Sequence, residues 1–478
     1  MTTPRPSEER ARWAPFAVLA LTVVAAGWRF PWLTAQDLWF DEVFSVVLAS
    51  QDVGELLRRA IADQTNPPGF YLLLWGWMRI GNVGEAWVRA LPAVAGTLTV
   101  PAVVALARTL GLTWRSALLG GLLAAVSPLL VTMSLEVRAY APLALLVAIS
   151  LALGARMATR EDTGRRRGRT ALAVTDAALV MLHYFGALAV LARIVAAFVT
   201  AHRGPAGSRA RVRRDAVVTA IPAALLLAAW FAMVLLAVRT GHVAGNAAWI
   251  PAPGAADLLG FGSLVVGTLD LPGGAAVVAG LLLAAIIAAR RLEAAPWLLS
   301  SALLPLAIVY AVSALTGRSL WVGRYLVVVL PAFVLLVAAL PETISAALPA
   351  PWRLAPWTLI ASWAVAAGVL AAAERPEKPR WSRIVPALAA GSRTVVCVNE
   401  LFVGLPLQYH AIRAGVRLEV REMPQCAAAR ESGWVMMRPG TDVSLGALQG
   451  AGARLGPPRS LDTTLPPLTL RRMGWPAP

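Results

Sequence analysis

The sequence contains few residues of several types that define common protein classes. Only two of its 478 residues are cysteine and four are histidine, so it holds no cysteine-rich metal framework. Lys378 is the only lysine among 43 basic residues, and the others are arginine. Charged residues make up 14% of the chain. The arginine-rich composition favours a GC-rich bacterial genome, and the shortage of charge directs attention to the apolar residues.

Apolar residues dominate the chain. They make up 58% of it, with a mean hydropathy of +0.66, whereas soluble domains are about 45–50% apolar. Several runs reach the roughly 20 residues that a helix needs to cross a bilayer. Strands are disfavoured because each segment in lipid must satisfy its own backbone polar groups. We therefore predict an all-α polytopic membrane protein with about eleven transmembrane helices.

Three of these helices are predicted from particular features of the sequence. The first covers residues 15–32, and no small-residue cleavage site accompanies it, so we expect it to stay uncleaved. A longer run at residues 170–200 is interrupted by His183, Tyr184 and Phe185. We predict two short helices on either side of this interruption.

Arginine-rich loops predict the orientation. The net charge of +17 could also suit a nucleic-acid-binding protein. The basic residues cluster between apolar runs, however, above all in residues 155–169 and 201–214, as expected of cytoplasmic loops. This predicts no nucleic-acid partner, a cytoplasmic N-terminus and an extracytoplasmic first outer loop, residues 33–86. It requires the short aromatic segment 67–81 to lie at the membrane interface without spanning.

The same counting places five unusual polar stretches on one face of the membrane. They fall at helix ends, where ionisable residues in a membrane protein commonly mark a functional site. We therefore predict one extracytoplasmic site built from several loops. The stretches are the loop around Asp41 and Glu42 and residues 134–142, 183–185, 239–249 and 316–325.

The tail, residues 374–478, differs from the rest of the chain, and we predict it to be a small extracytoplasmic α/β domain. A strand at 393–400, a helix at 405–415 and a strand at 416–420 are indicated by periodicity and a glycine stop. An oxidising compartment would permit a disulfide between its two cysteines, but free thiols are equally compatible. The proline-rich end is predicted to be loosely ordered. The transmembrane domain is accordingly predicted to comprise residues 1–373.

Asp41 and Glu42 are the first candidates for chemistry. They lie in the stretch "LWFDEVFS" among aromatic side chains. One interpretation is that the aromatics anchor the loop and the acids keep it hydrated. The other is that a carboxylate held against apolar surface acts as a general base or holds a cation.

Further candidates lie at the predicted outer helix ends. An arginine there can grip a phosphate in bidentate fashion, or it can simply extend to lipid head groups. A lone histidine is more often structural than functional. The candidates for substrate binding are Arg29, Glu136, Arg138, His183, Tyr184, Arg324 and Tyr325.

A carboxylate pair and several arginines beside lipid suit displacement at a carbon that bears a lipid phosphate. The arginines would stabilise the leaving phosphate, and the carboxylate would deprotonate an acceptor. No glycine-rich phosphate loop is present, so a nucleotide-linked donor is disfavoured.

The sequence also resembles a known family, the GT-C membrane glycosyltransferases, in the branch of the protein O-mannosyltransferases and the lipid A aminoarabinose transferases. The resemblance covers most of the first 340 residues and rests on the order and spacing of motifs that are individually weak. The motifs are LWFDEVFS, NPPGFYLLL, RALPAVAGTLTVPAVVALARTLG, SLEVRAYAPLALL, HYFGAL and GRYLVVVLPAF.

The resemblance implies a polyprenyl-phosphate sugar donor used on the extracytoplasmic face, with a glycan, lipid or protein as acceptor. It implies Asp41 as catalytic base, Glu42 as a supporting residue, Arg138 at the donor phosphate and Arg324 as a weaker phosphate candidate. Asn66 replaces the histidine that the family usually has before its double proline, which puts that residue's role in doubt. Members differ in metal dependence, so no cofactor is certain and a divalent metal stays open.

Two other classes of function compete with a glycosyltransferase. A transporter or flippase for a lipid-linked or anionic substrate would bind near the bilayer midplane and commonly has inverted repeats. The sequence contains no convincing repeat. A non-catalytic scaffold of the same fold is the third interpretation, and the intact acidic pair and Arg138 argue against it.

Overall fold

The computed structural model describes most of the chain, and its helices dominate. The described residues are 13–64, 66–159, 165–239, 250–267, 274–290, 292–316, 319–373, 378–388, 394–437, 445–461 and 468–476. Residues 240–249 of the predicted outer stretch 239–249, and residues 317–318 of the stretch 316–325, lie outside the described residues.

Seventeen helices precede the C-terminal region among the described residues. The first nine are α1 Ala14–Gly27, α2 Phe40–Ala49, α3 Val53–Asp63, α4 Gly69–Ile80, α5 Glu85–Thr109, α6 Trp114–Val126, α7 Pro128–Ser134, α8 Tyr140–Thr159 and α9 Arg165–Leu182. The others are α10 Gly186–Arg203, α11 Ala206–Val218, α12 Ile221–Arg239, α13 Ala255–Val266, α14 Gly274–Ala289, α15 Ala295–Thr316, α16 Leu330–Ala346 and α17 Ala355–Ala373. Short 3-10 segments occur at Phe30–Trp32, Gly323–Val329 and Ala350–Trp352.

Eight segments of the described residues are long and apolar enough to cross a membrane, and a ninth is present if α6 and α7, bent by 53° at their junction, form one span. The helical membrane architecture is therefore confirmed, whereas the number eleven stays a prediction. The eight are Ala14–Trp32, Glu85–Thr109, Tyr140–Thr159, Gly186–Arg203, Ala206–Arg239, Ala295–Thr316, Gly323–Ala346 and Ala350–Ala373.

The predicted interruption of the run at 170–200 is confirmed, since α9 ends at Leu182 and α10 begins at Gly186. Two glycines allow the backbone to pack closely here. A Cβ at Gly186 would collide with the carbonyl of Leu179, and one at Gly69, where α4 begins, would collide with the carbonyl of Met181. The start of α4 therefore packs directly against the end of α9.

The first outer loop contains α2, α3 and α4. The helix α4 has 12 residues, which is about 18 Å at 1.5 Å per residue. It is too short to cross a hydrocarbon core of about 30 Å, and it is not among the candidate spans. Its length therefore agrees with an element at the interface.

The C-terminal region is a small α/β structure, as predicted. Its helices are α18 Trp381–Leu388, α19 Leu401–Arg413, α20 Met423–Ala429 and α21 Gly446–Gly450. Its strands are β1 Thr394–Val398, β2 Leu418–Glu422, β3 Gly433–Met437, β4 Arg454–Leu455, β5 Arg459–Leu461 and β6 Leu468–Gly474. The sheet order is β2-β1-β3-β6-β4, with β5 also paired to β6.

The proline-rich end of the chain was predicted to be loosely ordered, but its described residues include the strands β5 and β6. The strand β1 pairs in parallel with β2 and β3, and β6 pairs antiparallel with β3 through five residues. Within β6, Leu468, Leu470 and Met473 are buried. These apolar side chains cover the sheet, and the proline content of the preceding segment concealed this strand.

The two cysteines, left open by the sequence, form a disulfide. Cys397 in β1 is bonded to Cys426 in α20, at a sequence separation of 29. Both residues are buried in a cluster on one face of the sheet. The bond therefore ties β1 to the helix α20, which packs in the same cluster.

We expect loss of this disulfide to destabilise the C-terminal region. In Cys397→Ala/Cys426→Ala the unfolded chain regains the freedom of a loop of about 30 residues, worth about 3 kcal/mol in the chain-entropy model. The measurement is resistance of this region to limited proteolysis over a temperature series, in detergent-solubilised protein. Wild-type protein treated with reductant should behave like the variant. Equal resistance in oxidised, reduced and substituted protein would contradict the expectation.

Candidate active site

Four separate segments meet at one end of the helical bundle. They are the first turn of α2, the link between α7 and α8, the break between α9 and α10, and the 3-10 segment before α16. The structure thereby brings together seven of the predicted site residues, and Asn66 lies in an adjoining cavity. The seven are Asp41, Glu42, Glu136, Arg138, His183, Arg324 and Tyr325.

Asp41 lies in the first turn of α2, where the helix dipole favours a negative charge. Its Oδ2 atom is buried and has no hydrogen-bond partner among the described residues. The nearest cation is Arg324, whose Nη2 lies 3.6 Å from Oδ2. Arg138 reaches the same helix, with Nη1 3.5 Å from the hydroxyl of Ser45. The Asp41 carboxylate is therefore flanked by guanidinium groups but has a free acceptor atom.

The electrostatics of Arg138 agree with this placement. Burial alone would lower the pKa of its guanidinium, but the charge of Asp41 and neighbouring tyrosines raise it well above its usual value. Arg138 therefore stays charged while buried, and its positive charge is available to an anion at this site.

Glu42 has a different environment from its neighbour. It is completely buried, and Arg89 of α5 binds both of its oxygens, Nε to Oε1 at 2.7 Å and Nη2 to Oε2 at 2.7 Å. The backbone amides of Trp39 and Val137 also donate to it, each at 3.3 Å. Burial alone would raise the pKa of Glu42, but Arg89 and Lys378 lower it to about 2. Glu42 is thus a fully partnered anion.

Arg89 uses its remaining donors to fix the first outer loop. Its Nη1 donates to the carbonyls of Leu33, at 2.9 Å, and Gln36, and its Nη2 donates to the carbonyl of Asp37 at 3.1 Å. The chain between α1 and α2 is therefore closed around one buried guanidinium. This closure sets the position from which α2, with Asp41 in its first turn, begins.

Glu136 is the third carboxylate of the site. It is 7% exposed. Its Oε1 atom lies 3.6 Å from the ammonium of Lys378, while Oε2 is buried without a hydrogen-bond partner in the described part of the chain. Burial is the main cause that raises the pKa of this carboxyl, and the neighbouring carboxylates add to it.

Aromatic rings form one wall of the site. The His183 ring lies 5.0 Å from that of Tyr325 and 5.8 Å from that of Tyr140, and Phe185 contacts both His183 and Tyr325. Burial, assisted by Arg138 and the guanidinium of the 3-10 segment, lowers the pKa of His183 to about 3. His183 is therefore neutral at physiological pH. It contributes an aromatic ring and a hydrogen-bonding nitrogen to the site, but no positive charge.

A small cavity lies beside this wall, behind the double proline. Asn66 is buried there, close to the Tyr71 hydroxyl. The hydroxyl of Tyr140 has no hydrogen-bond partner among the described residues, and burial raises the pKa of Tyr71 to about 12. Residues that line the cavity include Asn66, Phe70, Tyr71, Arg138, Tyr140 and His183. The cavity lining thus contains two tyrosines and a guanidinium group.

Two predicted residues do not join the cluster. Arg29 is fully buried and donates to the Ser134 hydroxyl at 3.0 Å and to the carbonyls of Ala25 and Ala125. It ties α1 to α6 and α7. The side chain of Tyr184 lies outside the cluster, and its hydroxyl donates to the carbonyl of Gln64 at 3.0 Å. It also accepts a hydrogen bond from a tryptophan of α12.

Two charged residues of the site were not predicted. Arg89 belongs to a motif that was quoted for its resemblance, and an ionisable residue within a long apolar run was the available signal. Lys378 is distinctive in the sequence only as its one lysine. No sequence pattern connects it to Glu42, although its ammonium lies 3.0 Å from that carboxylate.

The described residues contain no group of three or more His, Cys, Asp or Glu side chains that could hold a metal ion.

With the geometry established, comparisons with known proteins identify the fold. Residues 65–220 match the model of a family described as dolichyl-phosphate-mannose-protein mannosyltransferase. Two crystal structures of ArnT from Cupriavidus metallidurans, in the apo state and bound to undecaprenyl phosphate, share 16% identity with the chain at TM-scores of 0.59 and 0.58. They cover 96% of this chain and 97% and 98% of theirs.

A third similar structure comes from another kind of enzyme. The oligosaccharyltransferase of Archaeoglobus fulgidus, crystallised with Zn and sulfate, shares 14% identity at a TM-score of 0.56. The match covers 92% of this chain and 72% of that one. No curated protein sequence matches the chain. At such low identities the structural matches establish the fold, and the predicted fold class is confirmed.

We expect the Glu42–Arg89 pair to be essential for folding. Arg89→Met would leave a buried carboxylate without its main partner, which costs about 3–5 kcal/mol. Glu42→Gln/Arg89→Met removes both charges and should recover part of that loss. The measurement is the temperature at which the detergent-purified protein loses its monodisperse elution peak.

Arg59→Met is the matched control for this experiment. Arg59 forms an exposed ion pair with Glu55, and such pairs contribute less than about 1 kcal/mol. Equal melting temperatures for Arg59→Met and Arg89→Met would show that the buried pair is not needed for stability.

Proposed function

We propose that this chain is an integral membrane glycosyltransferase, because it has the fold of ArnT and its residues 65–220 match a mannosyltransferase family model. It transfers a sugar from a polyprenyl-phosphate-linked donor to an acceptor. The observation that carries this proposal is the geometry of Asp41, a buried carboxylate oxygen without a hydrogen-bond partner in the described residues and 3.6 Å from a guanidinium.

The donor class is supported by two independent similarities. The matching family model is named for a dolichyl-phosphate mannose, and one similar ArnT structure is bound to undecaprenyl phosphate. Both are lipids that carry a phosphate. In this chain Arg138 and Arg324 flank the proposed base, and guanidinium groups are suited to phosphate oxygens. A mannose-like hexose is the sugar that the family name favours.

The reaction is a single displacement. Asp41 accepts the proton of an acceptor hydroxyl, whose oxygen forms a bond to the anomeric carbon of the sugar. The bond between that carbon and the phosphate oxygen breaks, and its electron pair leaves with the lipid phosphate. Arg138 and Arg324 stabilise the charge that the phosphate gains. The proton ends on Asp41, and the products are the glycoside and the polyprenyl phosphate.

The neighbouring residues divide the remaining tasks. Glu42 positions α2 through Arg89 and takes no part in proton transfer, because both its oxygens are occupied. The neutral ring of His183, together with Tyr325, forms the wall against which the sugar packs. Asn66, where the family usually has histidine, faces the adjoining cavity.

The reaction takes place on the extracytoplasmic face, and the C-terminal domain from residue 374 onward lies on the same side. The arginine-rich stretches at 155–169 and 201–214 support this orientation. A glycan, a lipid or a protein could present the acceptor hydroxyl.

Sugar transfer in membranes tests the proposal. Membranes from cells that express the wild type or Asp41→Asn receive radiolabelled polyprenyl-phosphate sugars, and the label transferred to any acceptor is measured at equal protein levels. Since a positioned general base contributes about 10²–10⁴-fold, we expect Asp41→Asn to lose at least about 100-fold in rate.

The matched control is Glu55→Gln, which removes a carboxylate of the same outer loop. Glu55 pairs with Arg58 and Arg59 on α3, so transfer should stay within twofold of wild type, about 0.4 kcal/mol. A wild-type rate in Asp41→Asn would exclude Asp41 as the base. Absence of transfer by the wild type with every donor would count against the glycosyltransferase itself.

A further inference from the structure

The single lysine of the chain lies in the site, although it belongs to the C-terminal region. The ammonium of Lys378 is 3.0 Å from Oε2 of Glu42 and 3.6 Å from Oε1 of Glu136. It also lies 5.4 Å from the ring centre of Trp39, and its side chain is 17% exposed. Lys378 therefore bridges two buried carboxylates that come from different segments of the membrane domain.

Docking of the C-terminal region holds this lysine in place. The backbone amide of Ser382, in α18, donates to Oδ2 of Asp37 at 2.7 Å. His410 contacts the carbonyl of Leu38 at 2.9 Å. Phe402 of α19 packs on the ring of Phe40, with 5.1 Å between ring centres. The C-terminal region thus rests on the same loop that supplies the acidic pair.

The two carboxylates do not need Lys378 equally. Glu42 already accepts hydrogen bonds from Nε and Nη2 of Arg89 and from two backbone amides. Glu136 has its contact with Lys378 on one oxygen and no hydrogen-bond partner on the other within the described residues. The charges of Lys378 and Arg324 favour its ionised form, whereas those of Glu42 and Asp41 oppose it. Arg89 also faces Glu136.

A buried carboxylate oxygen without a partner costs free energy unless a donor satisfies it. An ionised carboxylate can only accept hydrogen bonds. A hydroxyl group of a sugar is a donor of the required kind, and the proposed site binds a polyhydroxylated substrate. A substrate hydroxyl is therefore a suitable donor to this oxygen of Glu136, which has no hydrogen-bond partner among the described residues.

We propose that Lys378 is a positioning residue of this site, delivered by the docked C-terminal region, which keeps Glu136 ionised so that its free oxygen accepts a hydrogen bond from a substrate hydroxyl. This inference rests on the proposed glycosyltransferase function. It makes the C-terminal region a necessary part of the site, although Lys378 itself touches no reacting atom.

A direct test uses the fact that the chain has one lysine. Reductive methylation with ¹³C-formaldehyde gives one labelled lysine side chain, and Lys378→Arg identifies its NMR signal by removing it. Because Arg89 and Lys378 lower the pKa of Glu42 to about 2 and burial raises the pKa of Glu136 above the usual 4.5, Glu136 should cause an inflection above pH 4.5 that is separate from the alkaline titration of the lysine amine itself. We expect this inflection in the wild type and its loss in Glu136→Gln. A signal without it, or one unchanged in Glu136→Gln, overturns the proposal.

The functional test compares three substitutions in the transfer assay. Lys378→Met should lower transfer at pH 7 by at least about tenfold. Removing the cation raises the pKa of Glu136, so the remaining activity should increase towards higher pH, relative to wild type. Lys378→Arg should restore most of the activity. Arg383→Met, which removes an exposed cation from the same α18, should have no effect.

The outcomes separate this inference from the proposed function. Wild-type transfer by Lys378→Met, or a loss with no shift in the pH profile and no rescue by arginine, overturns the role of Lys378. If the wild type transfers no sugar, the glycosyltransferase proposal fails, while the NMR titration still decides whether Lys378 controls the ionisation of Glu136.

Discussion

The structure of the site depends on the buried ion pair between Glu42 and Arg89. An isolated charge in this low-dielectric region would be very costly, and a buried pair is tolerated only when its remaining hydrogen-bonding groups are satisfied. Here the guanidinium binds both carboxylate oxygens and three loop carbonyls, and two backbone amides complete the carboxylate. Because the partners come from α2, α5 and the link before α8, one pair fixes three segments against each other.

The position of Asp41 follows from this constraint. Adjacent residues on a helix point about 100° apart, so fixing Glu42 towards Arg89 turns Asp41 to the neighbouring direction, where Arg324 and Arg138 lie. Two consecutive carboxylates thereby acquire different environments. One is an anion with all its partners, and the other keeps a buried acceptor oxygen without a hydrogen bond among the described residues. Environment, not residue type, distinguishes the two roles.

The sequence predicted that polar helix ends from several segments form one site, and the structure brings most of those residues together, whereas the side of the membrane on which they lie stays a prediction. The sequence could not predict whether a side chain at a helix end points into the site or towards a neighbouring helix. Arg29 and Tyr184 were predicted in the site, but they contact neighbouring helices instead. Arg89 was not predicted because the mean hydropathy of a long apolar segment changes little when the segment contains one charged residue. Lys378 was missed because it contacts Glu42 across 336 residues, through a docking that no local pattern encodes.

The charges at the site also bear on what it can bind. Two guanidinium groups, those of Arg138 and Arg324, lie beside the single carboxylate of Asp41, and all three groups are at least partly buried. Excess positive charge in a region of low dielectric is costly unless an anion enters. The proposed donor, a lipid phosphodiester, carries a single negative charge, which would offset the excess positive charge of these two guanidinium groups.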